Sequence, residues 1–189
     1  MFETIKHLDQ QFFVAVNSGM QNALLDWLCP WMRNQYVWYP LYLVLFFFIY
    51  KKYKNETLWI ATGIILLVLV SDQLSANVIK NLVQRLRPCN DPSMQGHIRL
   101  FVNCGSGFSF VSAHATNHFA IAVYFSSFFS SQRKWFLPIA LLWAAGIAFS
   151  QVYVGVHYPL DVICGALIGS LLGAVASRLV FMKIKTTHE

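Results

Sequence analysis

Charge is scarce in this chain. Of 189 residues, 14 are Lys or Arg and 8 are Asp or Glu, 12% in all, where a soluble globular domain carries about a quarter. The shortage excludes an ordinary water-soluble fold. Runs of basic residues interleaved with aromatics are also missing, so the net charge of +6 does not indicate a nucleic-acid groove. The four cysteines show no Cys/His spacing suited to zinc. No internal repeat and no low-complexity segment is visible. Membrane transporters usually show repeated halves and polar groups spread through their spans, and Asp72 alone is weak support for that rival. The opening Met1-Phe-Glu-Thr-Ile-Lys has no basic region followed by a compact apolar core. A cleavable signal peptide is therefore not expected, and insertion is expected to rely on the permanent spans.

Apolar residues fill the space that charge leaves, at 57% of the chain. About 20 consecutive apolar residues cross the hydrocarbon core as a helix. Five stretches qualify or come close: Tyr36–Tyr50, Leu58–Ile79, Phe110–Ser130, Trp135–Val154 and Pro159–Met182. The expected fold is all-α, one polytopic transmembrane bundle of five to six helices. Residues 1–35 read as an amphipathic helix pair at the interface, since Phe12, Phe13, Leu24, Trp27 and Leu28 are interrupted by Asn17, Gln21, Asn22 and Asp26. Residues 36–182 form the transmembrane core, with a sixth crossing by 8–32 as the alternative. Aromatic groups such as Tyr36-Val-Trp38-Tyr39 and Trp135-Phe136 suit interfacial belts.

The connections differ in charge. Lys51, Lys52 and Lys54, then Arg133 and Lys134, then Lys183 and Lys185, all fall on one side of a five-span bundle, which the positive-inside rule makes cytoplasmic. Arg33, Lys80, Arg85, Arg87 and Arg99 fall on the other side. Cations where topology disfavours them want a local reason, and a bound phosphate supplies one.

Three segments on that outer side carry chemistry. Lys80 and Arg87 are two helical turns apart and share a face, with Gln84 between them, if the second helix continues outward to Pro88. Arginine grips phosphate oxygens as a fork and lysine as a point charge; taken alone, the pair reads rather as snorkelling cations at a helix end. Ser112 stands where the third helix begins and can cap it, so that the free N–H groups of its first turn form an anion site, with His114 beside them. His118, one turn further, is expected to pack or bond inside the bundle. His157 precedes Pro159, a residue favoured at a helix start, and Asp161 lies four residues on. The carboxylate can reach back to fix the imidazole tautomer and free the other ring nitrogen for attack, or it can simply complement the helix dipole.

These residues resemble the three-part motif of the type 2 phosphatidic acid phosphatase superfamily, membrane relatives of the vanadium haloperoxidases: K-x6-RP, PSGH and SR-x5-H-x3-D. The resemblance spans Lys80 to Asp161. It implies a metal-independent membrane lipid phosphatase that needs no cofactor. His157 resembles the nucleophile that forms a phosphohistidine, Asp161 its orienting carboxylate, and His114 the general acid. Lys80, Arg87, Ser112, Ala113 and position 151 resemble the phosphate cradle. Expected partners are the bilayer and a lipid phosphate or diphosphate, such as undecaprenyl diphosphate, lipid A or a phospholipid phosphate, and not nucleic acid; no feature points to a particular oligomeric state. The expected location is the bacterial inner membrane, with the site facing the periplasm.

Three positions depart from the motif. Val111 for proline and Ala113 for glycine are mild. Gln151 for arginine is not, because an amide carries no charge and no fork. If that arginine stabilises charge in the transition state, its loss is expected to lower catalysis by about 10²-fold or more. The alternative to an impaired phosphatase is a lipid-phosphate binder with little or no turnover. Cys89 and Cys104 border the outer loop between the second and third spans. If that face is periplasmic they can bridge and hold the loop over the site; two free thiols are the alternative. Gly165, Gly169 and Gly173 repeat every fourth residue, a spacing for close helix contact. Asp72, within the second span, reads as a structural hydrogen-bonding group.

Overall fold

A computed structural model of the chain describes residues 2–129 and 134–186. Arg133, and Ser130 at the expected end of the third span, lie outside the described residues. The described residues form helices and connecting loops, with no strand among them. The helices are α1 Phe2–Asn17, α2 Ala23–Met32, α3 Tyr39–Tyr53, α4 Thr57–Gln73, α5 Lys80–Val83, α6 Ala113–Phe129, α7 Phe136–Tyr153 and α8 Pro159–Thr186. A π-helical segment, Leu74–Ile79, joins α4 to α5 without a break. Three described stretches are long and apolar enough to cross a membrane: Gln35–Met94, which contains the α3–α4 hairpin, Phe136–Tyr153 and Pro159–Ile184. The architecture is a polytopic transmembrane bundle preceded by two further helices.

The expected boundaries shift for local reasons. The first span begins at Tyr39 rather than Tyr36, because Asn34 accepts from the Tyr36 N–H and holds Gln35–Trp38 in a 3-10 turn. The third helix begins at Ala113 rather than Phe110, where the Ser112 hydroxyl accepts from Ala115 N at 3.4 Å. The largest correction concerns the second span. It does not run on to Pro88: the helix stops at Val83, and Gln84 takes a left-handed backbone with φ 52°. Lys80 and Arg87 therefore share no helical face, and Gln84 does not lie between them on one.

The centre of the bundle is α6, enclosed by α4, α7 and α8. Ala115, Ala120, Tyr124 and Phe128 are fully buried on it. A Cβ on Gly169 would stand 2.1 Å from the Thr116 carbonyl oxygen, and one on Gly173 2.5 Å from that of Ala120. The glycine stripe of α8 thus lies directly on the α6 backbone, the close contact that small residues allow where no water drives association. The outer faces present Leu43, Leu58, Leu142, Leu167 and Leu171, each about two-thirds exposed or more, as expected where lipid is the solvent.

The two N-terminal helices turn both polar and apolar groups toward the protein, Phe13 and Cys29 among the latter. Phe12, Leu24 and Trp27 point outward, while Asp9 and Asn17 are buried. Asn17 bonds the carbonyls of Arg99 and Tyr153 at 2.8 and 2.7 Å and accepts from Arg99 N at 2.8 Å. Asp26 takes Arg99 at 2.9 Å and the Tyr153 hydroxyl at 2.5 Å. These helices fasten the outer loop to the end of α7.

Gly169→Ala is expected to force α6 and α8 apart at a cost of about 1–3 kcal/mol. Thermal unfolding in detergent should show a lowered midpoint; an unchanged midpoint would contradict the contact.

Candidate active site

Four helix ends and one loop meet at a single end of the bundle. Lys80 follows the π-helical turn, a distortion that recurs at functional sites. Arg85 and Arg87 lie in the extended chain after Gln84. Ser112, Ala113 and His114 open α6. Gln151, His157 and Asp161 come from the end of α7, the turn after it, and the start of α8. That turn is tight: Val156 N and His157 N both donate to the Gln151 carbonyl at 3.3 Å. Gly155 at its apex has φ 91°, and a Cβ there would lie 2.8 Å from the Arg99 carbonyl oxygen, so glycine serves both the turn and the close approach of the loop.

Asp161 is fully buried and holds the site together. One oxygen accepts from Arg85 at 2.8 Å. The other accepts from Tyr158 N at 2.8 Å and from the Ser109 hydroxyl, and stands 3.4 Å from His157 Nδ1. The last distance is a charge contact, long for a hydrogen bond. It still places the carboxylate on the Nδ1 side and leaves Nε2 as the free nitrogen. The Asp161 carbonyl also accepts from Ser112 N at 3.0 Å, tying the start of α8 to the start of α6.

Arg85 bridges Asp161 to Asp9 of α1, at 2.8 and 2.5 Å, and lies over the Tyr158 ring at 4.1 Å. Asp9 accepts in addition from Leu160 N at 2.9 Å, capping α8 from another helix. Sequence reasoning missed Asp9 and Ser109, and grouped Arg85 only with the outer cations. The available signal was a carboxylate on the helical face of Phe12 and Phe13, three and four residues on.

The remaining cations gather around His157. Lys80 and Arg87 both act on it electrostatically, and Lys80 and His157 act on His114. Arg87 is held over the turn by the carbonyls of Val156 and Gly107, each at 3.4 Å. Lys80 and Arg87 thus converge because the chain reverses at Gln84, not through helical spacing. The Gln151 side chain is buried, and both its amide atoms lack a hydrogen-bond partner. His118 Nδ1 bonds the His114 carbonyl at 2.8 Å, its ring stacked 6.3 Å from that of His114 and edge-on to Trp143. Asp72 accepts from Asn117 at 3.1 Å, joining α4 to α6. Among the described residues no group of three or more His, Cys, Asp or Glu is placed to hold a metal ion.

A family profile described as the PAP2 superfamily matches residues 61–185. The chain is 29% identical to a lipid A 4'-phosphatase of Bacteroides thetaiotaomicron, over 92% of this chain and 77% of that protein. It is 30% identical to a lipid A 4'-phosphatase of Porphyromonas gingivalis, over 90% and 72%. The crystal structure of Aquifex aeolicus LpxE superposes with a TM-score of 0.68 at 25% identity, covering 90% of this chain and 95% of that one.

The chain belongs to the PAP2 superfamily. It is an integral-membrane lipid phosphatase, a hydrolase of phosphate monoester or diphosphate bonds. Two further features frame its PAP2 site. Cys89 and Cys104 are joined by a disulfide across the outer loop, with Cα atoms 6.0 Å apart. Below the site, α3, α4 and α6 enclose a lateral cavity of about 670 Å³, lined mainly by apolar side chains including Tyr42, Phe46, Ile64 and Val68. It reaches His118 and Asn117, one helical turn from His114.

Burial lowers the His157 pKa to about 4, against the opposing pull of Asp161; the Arg87 and Lys80 charges lower it further. The ring is therefore half-protonated near pH 4 and predominantly neutral at neutral pH. The pH profile of kcat/KM, which reports groups of the free enzyme, should place the acid limb due to this residue near pH 4 once substrate titration is subtracted. A limb near 6.5 would mean a solvated imidazole. Arg85→Met should leave Asp9 and Asp161 buried without their shared cation, a loss of about 3–5 kcal/mol; an unaltered thermal midpoint would show that the three-way contact is not structural.

Proposed function

We propose that this protein dephosphorylates a lipid of the lipid A or polyprenyl-carrier type through a phosphohistidine at His157, at the periplasmic face of the bacterial inner membrane. The observation that carries this reading is the excess of positive charge around one buried imidazole. The cations Lys80 and Arg87 share the site with the two histidines, and the carboxylates beside it, Asp161 and Asp9, are already paired with Arg85. A phosphate, at about −1.5 to −2 near neutral pH, balances that excess. The N–H groups of the first α6 turn, at Ala113 and His114, add to the cradle.

The chemistry follows from the geometry. Nε2 of His157 attacks phosphorus while the Asp161 carboxylate, facing Nδ1, stabilises the charge that develops on the ring. As the P–O bond to the lipid breaks, His114 gives its proton to the leaving oxygen. A bound phosphate favours that protonated form, since an opposite charge within about 4–6 Å stabilises a cation. Water then attacks the phosphohistidine, the P–N bond breaks, and His114 recovers a proton.

The lateral cavity supports a lipid substrate. It lets a chain enter from the bilayer between α3 and α4 while the headgroup stays beneath the outer loop. Two relatives that match nearly the whole chain are lipid A 4'-phosphatases, which favours a phosphomonoester on a glycolipid. The periplasmic face follows from the basic residues at the opposite end of the bundle, Lys51, Lys52 and Lys54 after α3 and Lys183 near the end of α8. The helices α1 and α2 sit at that same outer interface, apolar side toward lipid.

Purified protein should release phosphate from lipid A or a polyprenyl phosphate with EDTA present. A strict need for a divalent metal would overturn the histidine mechanism. Rapid quench at alkaline pH should trap labelled phosphate on His157, with none trapped in His157→Ala and turnover lowered there by at least about 10³-fold. His114→Ala should slow release of a poor leaving group by about 10²–10⁴-fold.

A further inference from the structure

Gln151 removes a guanidinium from the α7 side of the site, yet another guanidinium lies close by. Arg33 terminates α2, where its backbone N–H bonds the Cys29 carbonyl at 3.2 Å. The end of α2 lies along α7: a Cβ on Gly146 would meet the Met32 methyl at 2.8 Å, and Cys29, one turn before Arg33, packs in one cluster with Phe149 and Tyr153 of α7. Arg33 thus projects from the helix that packs beside Ser150 and Gln151. Its charge is felt by His114, and it in turn feels the charge of Arg87.

The side chain is ready for a ligand. Its Nε is buried with no hydrogen-bond partner, as are both amide atoms of Gln151. Among the described residues no carboxylate lies within ion-pair distance of Arg33. Burial, and after it the Arg87 charge, lowers its pKa, so its cationic form is held at a cost. Arg85 and Arg99, the other outer arginines with buried contacts, are each paired with aspartate. A fork-shaped cation kept half-buried and unpaired beside two other site cations wants a planar or tetrahedral oxyanion.

We propose that Arg33 is a phosphate-binding residue of this enzyme, entering the site from α2 and supplying the guanidinium that Gln151 does not. The inference rests on the phosphatase reading and deepens it. With Arg33 in place, the neutral amide costs less than its own chemistry implies, and α2 becomes part of the catalytic apparatus rather than a membrane anchor alone.

A double-mutant cycle tests this. Wild type, Arg33→Gln, Gln151→Arg and the double variant are assayed for release of phosphate from a lipid monophosphate and for equilibrium binding of inorganic phosphate, with thermal midpoints measured in detergent. Arg33→Gln should lower turnover about 10²-fold or more and weaken phosphate binding. Gln151→Arg should raise turnover about 10²-fold in the Arg33→Gln background and less than about tenfold in the wild type. Arg33→Lys, which keeps charge without the fork, should fall between. Turnover of Arg33→Gln within threefold of wild type would overturn the proposal. So would a loss at normal thermal midpoint that Gln151→Arg does not recover. If Arg33→Gln does not fold, equal turnover and phosphate binding by Arg33→Lys and wild type would overturn it. A wild type that binds phosphate without hydrolysing the lipid, with binding lost in Arg33→Gln, would support Arg33 as a phosphate ligand while removing the phosphatase reading.

Discussion

The site depends on one buried carboxylate. Asp161 accepts from Arg85, Ser109 and Tyr158 N, and faces His157, so the loop after α5, the loop before α6 and the turn before α8 all end on the same two oxygens. A charge removed from water costs several kcal/mol unless its lone pairs are satisfied. That cost makes the arrangement cooperative. No single partner can leave without exposing the ion, so the elements arrive together or not at all. The imidazole inherits its orientation from that constraint and not from any contact of its own; apart from the 3.4 Å approach to Asp161, Nδ1 has no bonding partner.

Arg85 extends the same logic to α1. By sharing its guanidinium between Asp161 and Asp9, it converts a helix outside the PAP2 motif into a support for the turn that carries His157. Asp9 then caps Leu160 N, so the start of α8 is fixed by a side chain some 150 positions earlier in the chain. Asn17 and Asp26 repeat the device on the outer loop through Arg99 and Tyr153. The N-terminal helices thus bury polar groups where they hold loops, beside the buried Phe13 and Cys29, and carry exposed aromatic groups such as Phe12 and Trp27 on their outer side.

These cross-chain contacts mark where sequence reading stops, and the spans mark where it succeeds. Long apolar runs reveal the spans, because each must satisfy its backbone internally within lipid. The glycine spacing of α8 reveals the contact with α6, because only one face of a helix can approach so closely. His157, Asp161 and His114 are legible since each sits at a helix start with its partner in local register. Lys80 and Arg87 are legible through the K-x6-RP resemblance and not through a shared helical face, because the left-handed Gln84 ends the helix. Asp9, Ser109 and Arg85 were not legible as one node, because their contacts cross the full length of the chain and no local period encodes them.

Position 151 shows why a motif departure has to be weighed in three dimensions. In the sequence, glutamine there subtracts a charge from the cradle. In the fold, the same volume adjoins the end of α2, and the charge sum of the site includes Arg33 alongside Lys80 and Arg87. A phosphate responds to the field at its own position, whichever helix supplies the donors. What a substitution removes from one segment can therefore persist in the site, provided a second segment is held rigidly enough to aim its donor. The rigidity of α2 has an identifiable source. The Asn22 cap at its start, the Asp26 contacts with Arg99 and Tyr153 and the Met32 contact on Gly146 fix both of its ends against α7 and the outer loop, on the same scaffold that carries Gln151 and His157.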